Sequence, residues 1–346
     1  MQFPKIPEID THAAEKAIER QERLTKPAGS LGRLESLSVQ LAGITAKERP
    51  MFPRKAVILM AADHGVVLEG ISAYPSTVTA QMIANIVNQG AAVNVLARQN
   101  NTHVLVVDVG VAQDLSGLPG VVHRNLARGS QNMRQGPALS RAMTEEAINV
   151  GMQVLREQVQ DGLDLVALGE MGIGNTTAAA AVGAVITGLP VEAMTGRGTG
   201  LDDAGLAHKV EVIREAIAVN HPNPKDALDV LAKVGGLDIA GLVGVIIAAA
   251  AARLPVVVDG YISAAAALAA VELVPEVKPY LIASHLSVER GHAILCDYLN
   301  LTPLLDLQLR LGEGSGAVLV FPIIESAVRI LNEMATFDEA GVSQHV

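Results

Sequence analysis

The stretch Leu163-Asp164-Leu165-Val166-Ala167-Leu168-Gly169-Glu170-Met171-Gly172-Ile173-Gly174-Asn175-Thr176-Thr177 passes from an apolar run, through a glycine-rich turn, into an alanine-rich segment. An apolar run this short, closed by glycine, reads as a buried strand, and the small residues after it read as a helix. The same order recurs on both sides. Ala56-Val57-Ile58-Leu59-Met60 leads into Asp63-His64-Gly65, and Val104-Leu105-Val106-Val107 into Asp108-Val109-Gly110. Val256-Val257-Val258 leads into Asp259-Gly260, and Tyr280-Leu281-Ile282-Ala283 into Ser284-His285. Helices are predicted among them over 79–98, 144–158, 176–187, 207–220, 237–252 and 263–271. This alternation predicts an α/β fold with a mainly parallel sheet flanked by helices. Ligands of such sheets bind at the carboxyl ends of the strands. Asp63, Glu170, Asp259 and Ser284 are therefore expected along one edge, despite their distance in sequence.

The chain ends have a different texture. Residues 11–24 are charged and amphipathic, Lys26-Pro27-Ala28-Gly29-Ser30 breaks the pattern, and Leu31, Leu34, Leu37, Leu41 and Ile44 then form one helical stripe. Arg49-Pro50-Met51-Phe52-Pro53 is a boundary, because each proline restricts itself and the residue before it. A last helix is predicted over 321–337, able to pack back on the N-terminal ones.

Composition narrows the function classes. Half of the 346 residues are apolar but only 2% are aromatic, and Gly numbers 32. Such small side chains suit helices packed closely on a sheet covered on both faces. A net charge of −10 lacks the basic footprint of a nucleic-acid binder, although local cations could still hold one phosphate. Cys296 is the single cysteine, which excludes an internal disulfide and a Cys-based metal site, and it reads as a buried helix residue. The apolar run 239–258 is interrupted by Arg253 and Pro255, leaving about 14 helical residues where a bilayer needs roughly 20. With no apolar signal region at the N-terminus, a soluble cytoplasmic protein without a membrane partner is expected.

Several constellations could carry chemistry. In Gly169–Thr177 the glycines let backbone approach a ligand, and the N–H groups opening the helix suit an anion. A tight capped turn would look similar, but a glutamate inside the loop favours a site. Arg310-Leu311-Gly312-Glu313-Gly314-Ser315-Gly316-Ala317 brackets a second carboxylate with glycines, and Glu313 could serve as a general base or be a solvated turn residue. Gly196-Arg197-Gly198-Thr199-Gly200-Leu201-Asp202-Asp203, with Lys209 beyond it, offers cations for a phosphate or is an exposed loop with a surface lysine. Asp63-His64 suggests metal or triad chemistry, yet adjacent strand side chains point to opposite faces, and no metal is expected. Ser284-His285-Leu286-Ser287-Val288-Glu289 resembles a helix start capped by Ser284 or Ser287, and no Gly-x-Ser-x-Gly hydrolase motif is present.

Taken together, Leu31-Gly32-Arg33-Leu34-Glu35, Asp63-His64-Gly65-Val66-Val67, the 169–177 block, Asp259-Gly260-Tyr261-Ile262-Ser263 and the 310–316 block resemble the nicotinate-nucleotide:dimethylbenzimidazole phosphoribosyltransferase family, in the family's order and over nearly the whole chain. The resemblance implies a homodimer with a large Rossmann-like domain over 51–321. It also implies a small helical domain from 1–50 plus about 322–346. It implies nicotinate mononucleotide as donor, dimethylbenzimidazole as acceptor in assembling the lower ligand of cobalamin, and no cofactor. The family's catalytic glutamate falls on Glu313 and its second acidic residue on Glu170. Phosphate and ribose contacts fall on Gly174, Asn175, Thr176, Thr177, Lys209, Ser287, Gly314, Ser315 and Gly316. The acceptor pocket falls around Tyr74 and Met82, where some relatives carry a serine and a glutamine. Three alternatives stay open at this point: the same transfer to another benzimidazole, adenine or a phenol; a non-catalytic nucleotide sensor; and a hydrolytic nucleosidase.

Overall fold

A computed structural model describes residues 1–198 and 200–343; Thr199 of the glycine-rich loop and residues 344–346 lie outside it. Six strands form one sheet: β1 (Lys55–Ala62), β2 (Thr102–Gly110), β3 (Val121–His123), β4 (Leu165–Met171), β5 (Val256–Val258) and β6 (Leu281–Ala283). Their order is β3-β2-β1-β4-β5-β6 and every pairing is parallel. The chain thus winds outward in one direction from β1 and in the other from β4. A crevice for a ligand forms where the direction reverses, at the carboxyl ends of β1 and β4.

Side-chain alternation along the strands builds two cores. Ile58, Met60, Val166 and Leu168 enter one, beneath the helices Arg141–Gln160, Asn175–Thr187, Leu237–Ala251 and Tyr261–Leu273. Val57, Leu59, Leu165 and Ala167 enter the other, beneath Thr77–Val87, Ala92–Gln99 and Phe321–Glu333. On the first face two helices meet backbone to backbone: a Cβ on Gly244 would overlap the carbonyl of Ile148. This close approach is what the small-residue composition permits.

The terminal helices Thr11–Arg23 and Arg33–Thr45 pack against Phe321–Glu333. The Arg20 Nε donates to the Leu331 carbonyl (2.6 Å) and an Arg20 Nη to that of Met334 (3.1 Å), so a cation closes the carbonyl end of the last long helix. The stretch Ser315–Glu333, 19 residues in all, is apolar and long enough to cross a membrane by composition, but 56% of its most apolar window is buried inside the fold.

Three expectations need correction. The stretch 79–98 is two helices, parted by Asn88-Gln89-Gly90, where Gln89 takes a left-handed φ of 65°. The short edge strand β3 and the helix Ala227–Val234 were not among the expected elements. The helix after β6 begins at Arg290 with neither serine as its cap. The Ser284 hydroxyl donates to the Asp259 carbonyl (3.0 Å), and the Ser287 hydroxyl accepts from the Glu289 N–H (3.3 Å).

Candidate active site

Loops that follow β1, β4, β5 and β6, joined by Gly198 and the 310–313 segment, line a cavity of about 330 Å³ at the carboxyl ends of those strands. Its floor is Glu170, at the end of β4, followed by Gly172, Ile173 and Gly174. Gly172 is obligatory here, since a Cβ would overlap the Ala62 carbonyl at the end of β1. Gly174 turns the chain at φ 96° to open the helix Asn175–Thr187.

Two carboxyl groups share this floor. Glu170 is buried and accepts a short hydrogen bond from the Asn175 amide. Burial pushes its carboxyl well above the usual carboxylate range, and Asp238, Asp259 and Glu313 push it further against the opposing Asn175 bond. The loop Gly312-Glu313-Gly314 lies across the end of β4, with the Gly312 α-carbon too near the Glu170 carboxyl to admit a Cβ. Glu313 is 5% exposed, so the solvated-turn alternative fails. Burial raises its carboxyl as well, and its Oε2 has no hydrogen-bond partner. It adopts φ 63°, a left-handed conformation that a glutamate takes only where its surroundings impose it.

One wall is suited to an anion. Lys209, from the helix Asp203–Asn220, is 1% exposed rather than a surface lysine. Its ammonium donates to the Thr176 hydroxyl (2.7 Å), and burial lowers its pKa to about 8, with Glu289 opposing. Thr176, Asn175, Gly174 and Ser287 line the cavity beside it, next to the N-terminal end of a helix. Thr177 is buried beneath them and does not line it. The lining also includes Ile71, Ser72 and the half-exposed Tyr74, while Met82 packs into the core and is not part of the lining.

The turn 314–316 departs from its expected phosphate role. The Gly314 N–H donates to Asp259 Oδ2 (3.1 Å), the Ala317 N–H to Oδ1 (2.8 Å), and the Gly316 N–H is directed there too. The Ser315 hydroxyl donates to the Gly312 carbonyl (2.7 Å). This anion nest is filled by the protein's own carboxylate, and Gly314, Ser315 and Gly316 stand behind the cavity rather than in its lining. Burial pushes Asp259 up to about 7 despite those N–H groups.

Of the four residues expected on one edge, only Glu170 faces the cavity. Asp63 turns away to accept from the Ala112 N–H (2.8 Å), and Asp259 and Ser284 are buried behind the loops. His64 pairs not with its neighbour but with Asp238 (3.0 Å). Burial works against the charged imidazole, but Asp238 and Asp63 outweigh it and hold its pKa above the ordinary value. Asp238 also lies 3.4 Å from the Asn175 amide, linking this pair to Glu170. Sequence reasoning missed Asp238, although a carboxylate opening the most apolar helix of the chain demands a buried partner. It also gave no role to His285 and Glu289, which line the cavity.

A doubly wound sheet with two protonatable carboxyls and an anion cradle at its switch point defines an α/β enzyme that handles an anionic, nucleotide-like ligand. A phosphoribosyltransferase family model matches residues 6–342. The nicotinate-nucleotide–dimethylbenzimidazole phosphoribosyltransferase of Chloroflexus aggregans is 58% identical over 336 residues, 97% of this chain and 95% of that protein. The protein of the same name from Geobacter sulfurreducens is 51% identical over 340 residues, 98% of this chain and 97% of that protein. The crystal structure of the Thermus thermophilus protein of that name superimposes with a TM-score of 0.92 at 43% identity, over 97% of this chain and 100% of the other. The chain belongs to this phosphoribosyltransferase family and is, by class, a pentosyltransferase.

Proposed function

We propose that the enzyme transfers the 5-phosphoribosyl group of nicotinate mononucleotide to 5,6-dimethylbenzimidazole, releasing nicotinate and α-ribazole 5′-phosphate for the lower ligand of cobalamin. The observation that carries this reading is the meeting of Glu170 and Glu313 on one cavity floor beside the Lys209–Thr176 cradle. The phosphate sits against Lys209, Thr176 and Ser287, beside the N-terminal end of the helix that begins at Asn175, which leaves the anomeric carbon over the two carboxyls.

The bond from C1′ to the pyridine nitrogen breaks, and its electron pair neutralises the pyridinium as nicotinate leaves. A ring nitrogen of the acceptor bonds C1′ from the opposite face, inverting it to the α configuration. The other ring nitrogen loses its proton to Glu313, whose free Oε2 and raised basicity suit a general base. Burial first, and then Asp238, Asp259 and Glu313, raise the Glu170 carboxyl; its oxygens lie where the positive charge building on the ribose would be favoured. No electron changes hands with the protein, so the reading asks for no redox cofactor. Tyr74, with Ile71 and Ser72, faces the acceptor, and Met82 backs that wall.

The reading includes a cytoplasmic homodimer with no membrane or nucleic-acid partner, in which the helices of 1–50 and about 322–346 form a small domain. The exposed Leu68, Tyr74, Leu307 and Leu311 supply apolar surface for a second copy. Nicotinate release from nicotinate mononucleotide, measured with a panel of benzimidazoles, adenine and phenols, tests the chemistry. Release that depends on dimethylbenzimidazole is expected. Release without any acceptor would mean a nucleosidase, and saturable binding without release would mean a sensor.

A further inference from the structure

We infer that Asp259 is a positioning residue for the transfer: its buried carboxylate locks the left-handed loop Gly312-Glu313-Gly314 and thereby aims the Glu313 carboxyl at the acceptor. The inference rests on the reading of Glu313 as the general base. Asp259 follows the last residue of β5, is 1% exposed, and does not line the cavity. It touches the reaction only through what it holds.

What it holds is the backbone immediately after Glu313. Three consecutive residues, Gly312, Glu313 and Gly314, take φ of 84°, 63° and 82°. A run of left-handed residues is not self-supporting, and the glutamate within it, having a Cβ, disfavours that conformation. The loop stays in place because its exit is tied down. The two Asp259 oxygens accept from Gly314 (3.1 Å) and Ala317 (2.8 Å), one on each side of the turn. Asp259 is itself fixed, with its carbonyl accepting from the Ser284 hydroxyl (3.0 Å). The His285 ring is pressed so closely against Gly316 that a Cβ there would overlap it. The strand end of β5, the β6 loop and the Glu313 loop therefore form one rigid block around a single carboxylate.

A carboxylate accepts at both oxygens, whereas an amide accepts at one and presents N–H groups at the other. Asp259→Asn keeps size and shape but sets a donor against a donor, so one tie is lost. Misplacing a reacting group by about 1 Å reduces rate about 10²-fold, and this is the fall in kcat expected for Asp259→Asn. The donor KM should move less than kcat, because Lys209 and Thr176 belong to helices that the Asp259 carboxylate does not bond.

The test is a double-mutant cycle with Glu313→Gln, read as kcat for nicotinate release with dimethylbenzimidazole, alongside donor binding by calorimetry and melting temperature. If Asp259 acts through Glu313, Asp259→Asn lowers kcat in the wild-type background and causes no further loss in the Glu313→Gln background. The same fractional loss in both backgrounds would overturn the inference, as would a loss of donor affinity equal to the loss of kcat. Asp259→Glu, which retains the charge on a longer arm, is made in parallel. If neither variant folds, Asp259 is a core residue and the inference falls. Failure of the underlying reading looks different: Glu313→Gln alone would then turn over like the wild type.

Discussion

Replacing Glu313 by Gln removes the proposed proton acceptor while leaving everything around it in place. The two side chains are isosteric, and Glu313 Oε2 has no partner, so the amide breaks no hydrogen bond at that atom. Burial raises the Glu313 carboxyl above its ordinary 4.5. A carboxyl of this kind favours the folded state at low pH, and that contribution is lost as pH rises through its folded pKa. The amide has no such loss, so at neutral pH the variant should melt no lower than the wild type. Turnover is another matter. A lost general base lowers kcat by about 10²–10⁴-fold, or roughly 2.7–5.4 kcal/mol of barrier. The wild type should show the corresponding acid limb, with kcat falling as pH drops through the raised Glu313 pKa. The assay is nicotinate release at saturating donor and acceptor, with donor affinity measured separately by calorimetry. A variant with near-normal turnover would refute the assignment, and one that melts well below the wild type would refute the account of the pocket.

Three other outcomes follow from the same geometry. Lys209, lowered to about 8 by burial, loses its ammonium charge above that pH in the free enzyme, so the donor KM should climb there. Lys209→Ala should raise donor KM throughout and flatten the climb; a change confined to the acceptor KM would remove it from the phosphate site. His64, held above 6.5 by Asp238, contributes stability that is complete below that pH and is lost as pH rises through its raised value. Asp238→Asn should therefore destabilise by about 3–5 kcal/mol near pH 6 and by less near pH 9, read by urea unfolding; a loss independent of pH would contradict the pairing. Gly312→Ala meets both a φ of 84° and the Glu170 carboxyl, so it should lose stability by roughly 1–2 kcal/mol and most of its kcat; wild-type kinetics would show that the two loops do not touch as described.

The parts of this fold that were legible in sequence are those where burial is strongest. The runs at 56–60, 104–107, 163–168, 256–258 and 280–283 are apolar because helices cover both faces, and each holds all or part of a strand of the sheet, although 163–164 and Tyr280 lie just outside theirs. β3 is no shorter than the other edge strand, β6, but it is only partly buried, so no apolar run marks it. At the site, Glu170 and Glu313 announced themselves by the glycines around them, because only a chain without Cβ atoms lets two loops cross so closely. The use made of the second turn was not legible. Gly314-Ser315-Gly316 reads as an anion nest and is one, but its anion is Asp259, and no local pattern links a strand end at 259 to a turn at 314. Asp238 and His64 were hidden for the same reason: 174 residues separate them, and only the folded sheet makes them partners.

The two sides of the cavity come from different connections of the chain. Ile71, Ser72 and Tyr74 ride on the link between β1 and the helix Thr77–Val87, whereas Lys209 and Thr176 belong to helices that follow β4. A surface link can be recut without disturbing strand register. On the proposed reading such an enzyme can exchange the partner it modifies while its grip on the sugar phosphate stays constant, and a chimaera that swaps residues 72–76, keeping the buried Ile71, is the natural place to begin redirecting it.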